Sequence, residues 1–184
     1  MKRKLPIRKN IRLENYDYSD GGGYFITVCA KDRKCLFGNV NKNCVKINCD
    51  EKDMVLLSNV GQIVENAICH IEESYNHLVE LDKHIVMPNH IHLILFLSGR
   101  KSDEGGRPMT APTVSQIVNQ LKGAVTKAVG CSVWQKSFYD HIIRNKDDYV
   151  KIWNYIDNNP QKWTMDKYYC CLLYTSPSPR DMRR

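Results

Sequence analysis

Met87 to Leu97 reads MPNHIHLILFL, a turn-forming Pro88-Asn89 pair followed by an unbroken apolar and β-branched run that carries two histidines. Such a run reads as a buried strand. On a strand, alternate side chains share a face about 6.6 Å apart, so His90 and His92 point the same way and Ile91 points to the opposite side. A His-x-His pair also arises by chance. In so apolar a segment, two titratable groups are either ligands for a divalent metal or side chains satisfied by hydrogen bonds, and the residues alone leave both readings open.

The flanking sequence supplies the rest of the fold. His77 to Met87 precedes the Pro88-Asn89 turn and reads as an antiparallel neighbour of the His90 strand. Tyr24 to Cys29 (YFITVC), after Gly21, Gly22 and Gly23, reads as a first strand behind a flexible turn, and residues 40–57 as a small hairpin or loop insertion. Val60, Ile63, Val64, Ala67, Ile68 and Ile71 recur at helical period with Ser58 as cap. A second helix has Val114, Ile117, Val118, Leu121, Val125 and Ala128 on one face and Gly130 as its stop. Phe138 to Ile143 reads as a strand, and Asn145 caps a third helix that begins at Lys146 and ends by Pro160, with Asp147 and Asp148 complementing its dipole. Ser98 to Pro112 reads as a surface loop. The order strand, helix, strand, strand, helix, strand, helix predicts an α+β fold: a ferredoxin-like antiparallel sheet with helices on one face, the other face open to ligands, and an appended C-terminal helix.

On that last helix, Tyr149, Ile152, Trp153 and Ile156 form an apolar stripe expected to face the core. Tyr155 lies roughly 110° from its centre, a flank position, with Asn159 one turn on. By geometry alone Tyr155 is equally an amphipathic surface tyrosine.

With 184 residues, 42% hydrophobic and 26% charged, the chain fits one globular domain rather than a disordered or fibrous protein. No stretch approaches the roughly 20 apolar residues of a membrane helix, and the basic N-terminus lacks a secretory signal's apolar run, which predicts a cytoplasmic protein without membrane partners. The eight cysteines include no CxxC pair and read as reduced thiols rather than a zinc or disulfide framework. The formal charge of +7 points to a polyanionic partner. Within residues 1–20, Lys2, Arg3, Lys4, Arg8, Lys9 and Arg12 form a basic arm that is either a DNA-contacting element or a solvated tail. Residues 170–184, which include CLLYTSPSPRD, resemble the translation of a sequencing-library adapter and are set apart as a non-native tail. Their net +2 leaves +5 on the remainder.

Four motifs in order carry a family resemblance: IRLENYDYSDGGGYFITVCAKDRKCLFG, MPNHIHLILFL, WQKSFYDHIIR and, about 60 residues after the histidines, YIDNNP. Together they resemble the HUH endonuclease superfamily and, within it, the REP-associated tyrosine transposases of bacteria, from about Ile7 to Tyr169. The resemblance implies a catalytic domain over residues 21–169 that binds single-stranded DNA beside a hairpin and cleaves it through a covalent 5′-phosphotyrosine. It implies Tyr155 as nucleophile, His90 and His92 as ligands of a Mg or Mn ion, and a monomer or homodimer at the bacterial nucleoid. Related transposases place a glutamine four residues after the tyrosine as a third ligand, and Asn159 stands there in this chain. His141 and Asp140 are read as structural or DNA-contacting groups, and no general base is identifiable.

Two other readings stay open. A replication initiator or relaxase of the same superfamily usually carries lysine three residues after the tyrosine, where this chain has Asn158. A non-catalytic single-strand-binding module would use the same kind of sheet to stack bases, and metal-dependent cleavage separates it from an enzyme.

Overall fold

The eight-residue strand His90–Leu97 is buried on both sides except at Phe96, which explains its near-continuous apolar sequence: it runs through the middle of a sheet covered on both faces. The structure, a computed structural model, describes residues 22–41, 54–76, 78–98 and 112–169. The basic arm with Lys2, Arg3, Lys4, Arg8, Lys9 and Arg12, most of the Ser98–Pro112 loop and the 170–184 tail lie outside the described residues.

In chain order the elements are β1 (Gly22–Cys29), β2 (Gly38–Asn41), β3 (Met54–Leu57), α1 (Asn59–Cys69), the single turn α2 (Ile71–Ser74), β4 (Val79–Met87), β5 (His90–Leu97), α3 (Val114–Val129), β6 (Tyr139–Ile143) and α4 (Lys146–Asp157). Four strands form an antiparallel sheet in the order β4-β5-β1-β6. β5 therefore lies between β1 and β4, and β1 between β5 and β6, so two strand-helix-strand units interleave. The α+β architecture read from the sequence is present. β2 and β3 pair as a separate hairpin, the insertion expected over residues 40–57.

Local chemistry fixes the element ends. Ser58 caps α1 by accepting from the Gly61 amide, Thr113 and Gln116 close a capping box on α3, and Asn145 caps α4 through the Asp148 amide. Gly130 ends α3 in the left-handed conformation at φ 79°. The first strand begins earlier than its apolar run because glycine is needed inside it: a Cβ on Gly23 would stand 2.7 Å from the Phe96 ring. Gly61 likewise lets α1 pass against the Phe37 carbonyl, where a Cβ would collide.

Strand alternation divides the core in two. Tyr24, Ile26 and Val28 of β1 and Ile91, Leu93, Leu95 and Leu97 of β5 face α1 and α3, meeting Val64, Ile68, Ile117 and Leu121. Phe25 and Ile94 face the other way and pack against Ile152 and Ile156 of α4. The appended helix thus takes part of the face that α1 and α3 leave free. Trp153 departs from its expected core position. It is 38% exposed, with the Lys83 ammonium 2.9 Å from its ring centroid. α4 crosses near the edge strand β4, so its stripe reaches past the sheet and a cation takes the place of the core.

Candidate active site

β5 presents His90 and His92 on the α4 face, opposite Ile91, as the alternation predicts; register places His90 beside Cys29 and Met87, and His92 beside Thr27 and Ile85. Both imidazoles are fully buried, and their Nε2 atoms stand 3.0 Å apart.

The partners of the outer nitrogens define the tautomers. Asn89 Nδ2 donates to the carbonyls of Arg33 (3.1 Å) and Tyr168 (2.7 Å), so the atom facing His90 Nδ1 at 2.9 Å is the amide oxygen. His90 Nδ1 must then carry the proton, and its Nε2 offers a lone pair. His92 Nδ1 meets Thr27 Oγ1 at 2.9 Å. If Thr27 accepts, two lone pairs face each other, an arrangement a cation relieves. If Thr27 donates, His92 Nε2–H bonds His90 instead. Burial lowers the pKa of His90 to about 4 and that of His92 well below its ordinary value. Both rings are therefore neutral near pH 7, the form that ligates metals.

α4 brings Tyr155 over this pair. Its ring centroid lies 5.2 Å from that of His92 and 6.1 Å edge-on from that of Phe25, while 38% of the residue stays exposed. Its hydroxyl donates to Asp166 Oδ2 at 3.1 Å. Burial, followed by the charge of Asp166, raises the phenol pKa, so the hydroxyl is protonated at neutral pH. Asn159, only 2% exposed, donates from Nδ2 to the same Asp166 oxygen at 3.2 Å. That bond leaves Asn159 Oδ1 buried with no hydrogen-bond partner among the described residues. A buried acceptor without a donor is costly by itself. Two neutral imidazole nitrogens and an amide oxygen are donor types that suit a divalent ion with open positions.

Asp166, Thr27 and Tyr168 were not singled out in the sequence, and Asn89 was read only as a turn former. Asp166 follows Pro160 in an irregular turn with no periodicity to mark it. Tyr168 packs 4.6 Å from the His90 ring, and its amide donates to Asp166 Oδ1 at 2.7 Å. Beside Tyr155 a cavity of about 290 Å³ is lined by Asn158, Asn159, Lys162, Asp166 and Lys167. His141 pairs across the sheet with Phe25 and is bonded to Asp148 at 2.9 Å, which holds the Asp148 carboxyl below its usual range. On the opposite face of the sheet, Glu65, Cys69 and His84 bring one ligand atom each within 4.8 Å of one another. Cys29, Cys69 and Cys131 form no disulfide among the described residues, and Cys69 belongs to this group.

No protein-family model matches the chain. It is 31% identical over 178 residues to an uncharacterized protein of Haemophilus influenzae, covering 88% of this chain and 93% of that protein. It is 27% identical over 146 residues to a REP-associated tyrosine transposase of Escherichia coli strain K12, covering 79% and 70% of the two chains. Among solved structures, a REP-associated tyrosine transposase bound to a REP hairpin superposes with a TM-score of 0.56 at 25% identity, covering 85% of this chain and 76% of that one. In sequence and in fold, this chain is thus similar to the REP-associated tyrosine transposases.

Proposed function

We propose that the chain cleaves and rejoins single-stranded DNA beside a hairpin, with Tyr155 as the nucleophile. The observation that carries this reading is the approach of Tyr155 to within 5.2 Å, ring to ring, of a buried His90–His92 pair whose Nε2 atoms converge. The solved relative was bound to a REP hairpin, which supports hairpin DNA as the partner class.

His90 Nε2, His92 Nε2 and Asn159 Oδ1 would hold a Mg or Mn ion. When bound, such an ion neutralises phosphate oxygens as charge builds on them. Asn89 and Thr27 hold the imidazoles in place. Asp166 fixes both the Tyr155 hydroxyl and the Asn159 amide, so one carboxylate sets the aim of the nucleophile and of the third donor. In the reaction, Tyr155 Oη forms a bond to phosphorus, the bond from phosphorus to the 3′ oxygen breaks, and the phenol proton leaves on the side where Asp166 already accepts it. The 3′ oxygen departs and becomes a hydroxyl by taking up a proton. The tyrosine–phosphate bond conserves the phosphodiester's energy, so the freed 3′-hydroxyl can reverse the step without ATP. Lys162 and Lys167, beside the cavity at Tyr155, are placed to attract the phosphate chain.

The test is a labelled single strand carrying a hairpin, incubated with Mg²⁺ or Mn²⁺ and resolved for a covalent adduct. Cleavage with an adduct on the Tyr155 peptide is the expected result. Binding without cleavage in either metal would overturn the enzymatic reading in favour of a binding module.

A further inference from the structure

We propose that Glu65, Cys69 and His84 form a second metal site, selective for Zn²⁺, that pins helix α1 to strand β4 on the side of the sheet opposite His90 and His92. Glu65 and Cys69 are four residues apart on α1 and so lie on one face of it. His84 is in the interior of β4, paired with Leu93, whose side chain faces α1 and α3; its neighbour Ile85 pairs with His92 and faces the other way. The alternation of β4 thus separates this site from the catalytic pair by the thickness of the sheet.

The three ligand atoms lie within 4.8 Å of one another, and Glu65 Oε1 is 2.7 Å from His84 Nε2. A tetrahedral Zn²⁺ with bonds of about 2.0–2.3 Å needs its ligand atoms about 3.2–3.8 Å apart, so side-chain adjustments on the order of 1 Å suffice. The glutamate–histidine contact alone leaves the thiol one helical turn on without a role. The thiol decides the metal: Mg²⁺ and Mn²⁺ favour oxygen donors, whereas a thiolate with an imidazole favours Zn²⁺. A cavity of about 330 Å³ borders Glu65 and His84, leaving room for a water as fourth ligand. On binding, the Cys69 thiol and the His84 Nε2 each release any proton they hold to solvent, and three protein–metal bonds replace the single Glu65–His84 contact. The sequence conceals the site because its ligands come from one helix and one strand rather than from a close cysteine pair.

The test uses the full chain carrying His90→Ala and His92→Ala, so that the catalytic pair cannot bind, titrated with Co²⁺ alone and then with Zn²⁺ in competition. One equivalent of Co²⁺ should give a sulfur-to-cobalt charge-transfer band with four-coordinate visible absorption, displaced by Zn²⁺. Adding Cys69→Ser should remove the band, and adding His84→Ala should weaken Zn²⁺ binding on the order of tenfold or more. Zn²⁺ should also shield Cys69 from alkylation, mapped by peptide mass, and raise the melting temperature of the Cys69-containing protein alone. Cys69 is exposed at the end of α1, so its serine variant keeps the fold, checked by circular dichroism. A missing band, a band that survives Cys69→Ser, or a Zn²⁺ affinity that neither substitution moves would overturn the proposal.

Discussion

Asn89→Ala tests whether the residue beside the histidine pair acts as a structural hub or as an ordinary turn residue. Asn89 is 1% exposed and makes three side-chain hydrogen bonds: Nδ2 to the carbonyls of Arg33 and Tyr168, and Oδ1 from His90 Nδ1. A net loss of about 1 kcal/mol for each bond gives about 3 kcal/mol of destabilisation. For a chain of this size that corresponds to roughly 10 °C in melting temperature. Releasing His90 Nδ1 also frees its ring to change tautomer, so divalent-metal affinity should fall about 10- to 100-fold. Urea unfolding measures the first effect and metal titration the second. Asn158→Ala is the control: its amide reaches only the Asn154 carbonyl on the exposed side of α4, and its cost should stay within about 0.5 kcal/mol. A loss below about 1 kcal/mol for Asn89→Ala, with an unchanged urea slope, would refute the hub and show that water replaces the amide without penalty.

Tyr155→Phe removes only the phenol oxygen and should abolish cleavage and adduct formation. Tyr149→Phe, which loses a bond to Asp82 but keeps its ring against Phe96, should retain activity; an adduct on Tyr149, Tyr139 or Tyr168 would contradict the assignment. His90→Ala or His92→Ala should end cleavage while sparing DNA binding, and full activity in EDTA would remove the metal from the scheme. Because burial depresses the folded-state pKa of His90 and His92 below 6.5, the unfolded chain binds more protons in mildly acidic solution. Their contribution to stability is therefore complete above pH 6.5 and lost as pH falls toward 4, with a slope of up to about 1.4 kcal/mol per pH unit for each ring. A melting temperature that stays flat from pH 7 to 5 would contradict it. Deleting residues 1–9 should reduce the slope of log affinity against log salt by a few units, whereas an unchanged slope would mark the arm as a solvated tail.

The sequence made the framework of the site readable where a local period carries it. His90 and His92 share a face because a strand alternates, and α1 and α3 bury Val64, Ile68, Ile117 and Leu121 because their spacing is helical. The flank position of Tyr155 on α4 was readable in the same way, and its 38% exposure agrees with that reading. Trp153 shows where the method stops: a helical wheel sorts apolar from polar but does not know where the sheet ends, and Lys83 arrives from β4 to cover the ring. Asn89 was legible as a turn former, but not as buried, since its burial depends on Tyr168 and Arg33, which are distant in sequence. Asp166 had no local signal at all; its role emerges only when the turn after α4 folds back onto Tyr155 and Asn159.

The same logic explains how one sheet keeps His84 and Glu65 apart from His90 and His92. β4 and β5 pair so that Ile85 opposes His92 on one face while His84 opposes Leu93 on the other. One residue of register slip in β4 would move His84 toward His90 and His92 and turn Ile85 toward Glu65. The irregularity in the ladder falls between Leu81 and Lys83, before both positions, and leaves Lys83 bound to Asp157 of α4 at 3.1 Å. That ion pair and the Glu65–His84 contact hold β4 from opposite faces, the first through α4 and the second through α1. Removing either should loosen the register of the strand that flanks the histidines without touching them. On this view, Asp157→Asn and Glu65→Gln each leave His90 and His92 in place yet lower the protection of β4 amides from hydrogen exchange, and equal protection in both variants would show that β5 alone fixes the strand.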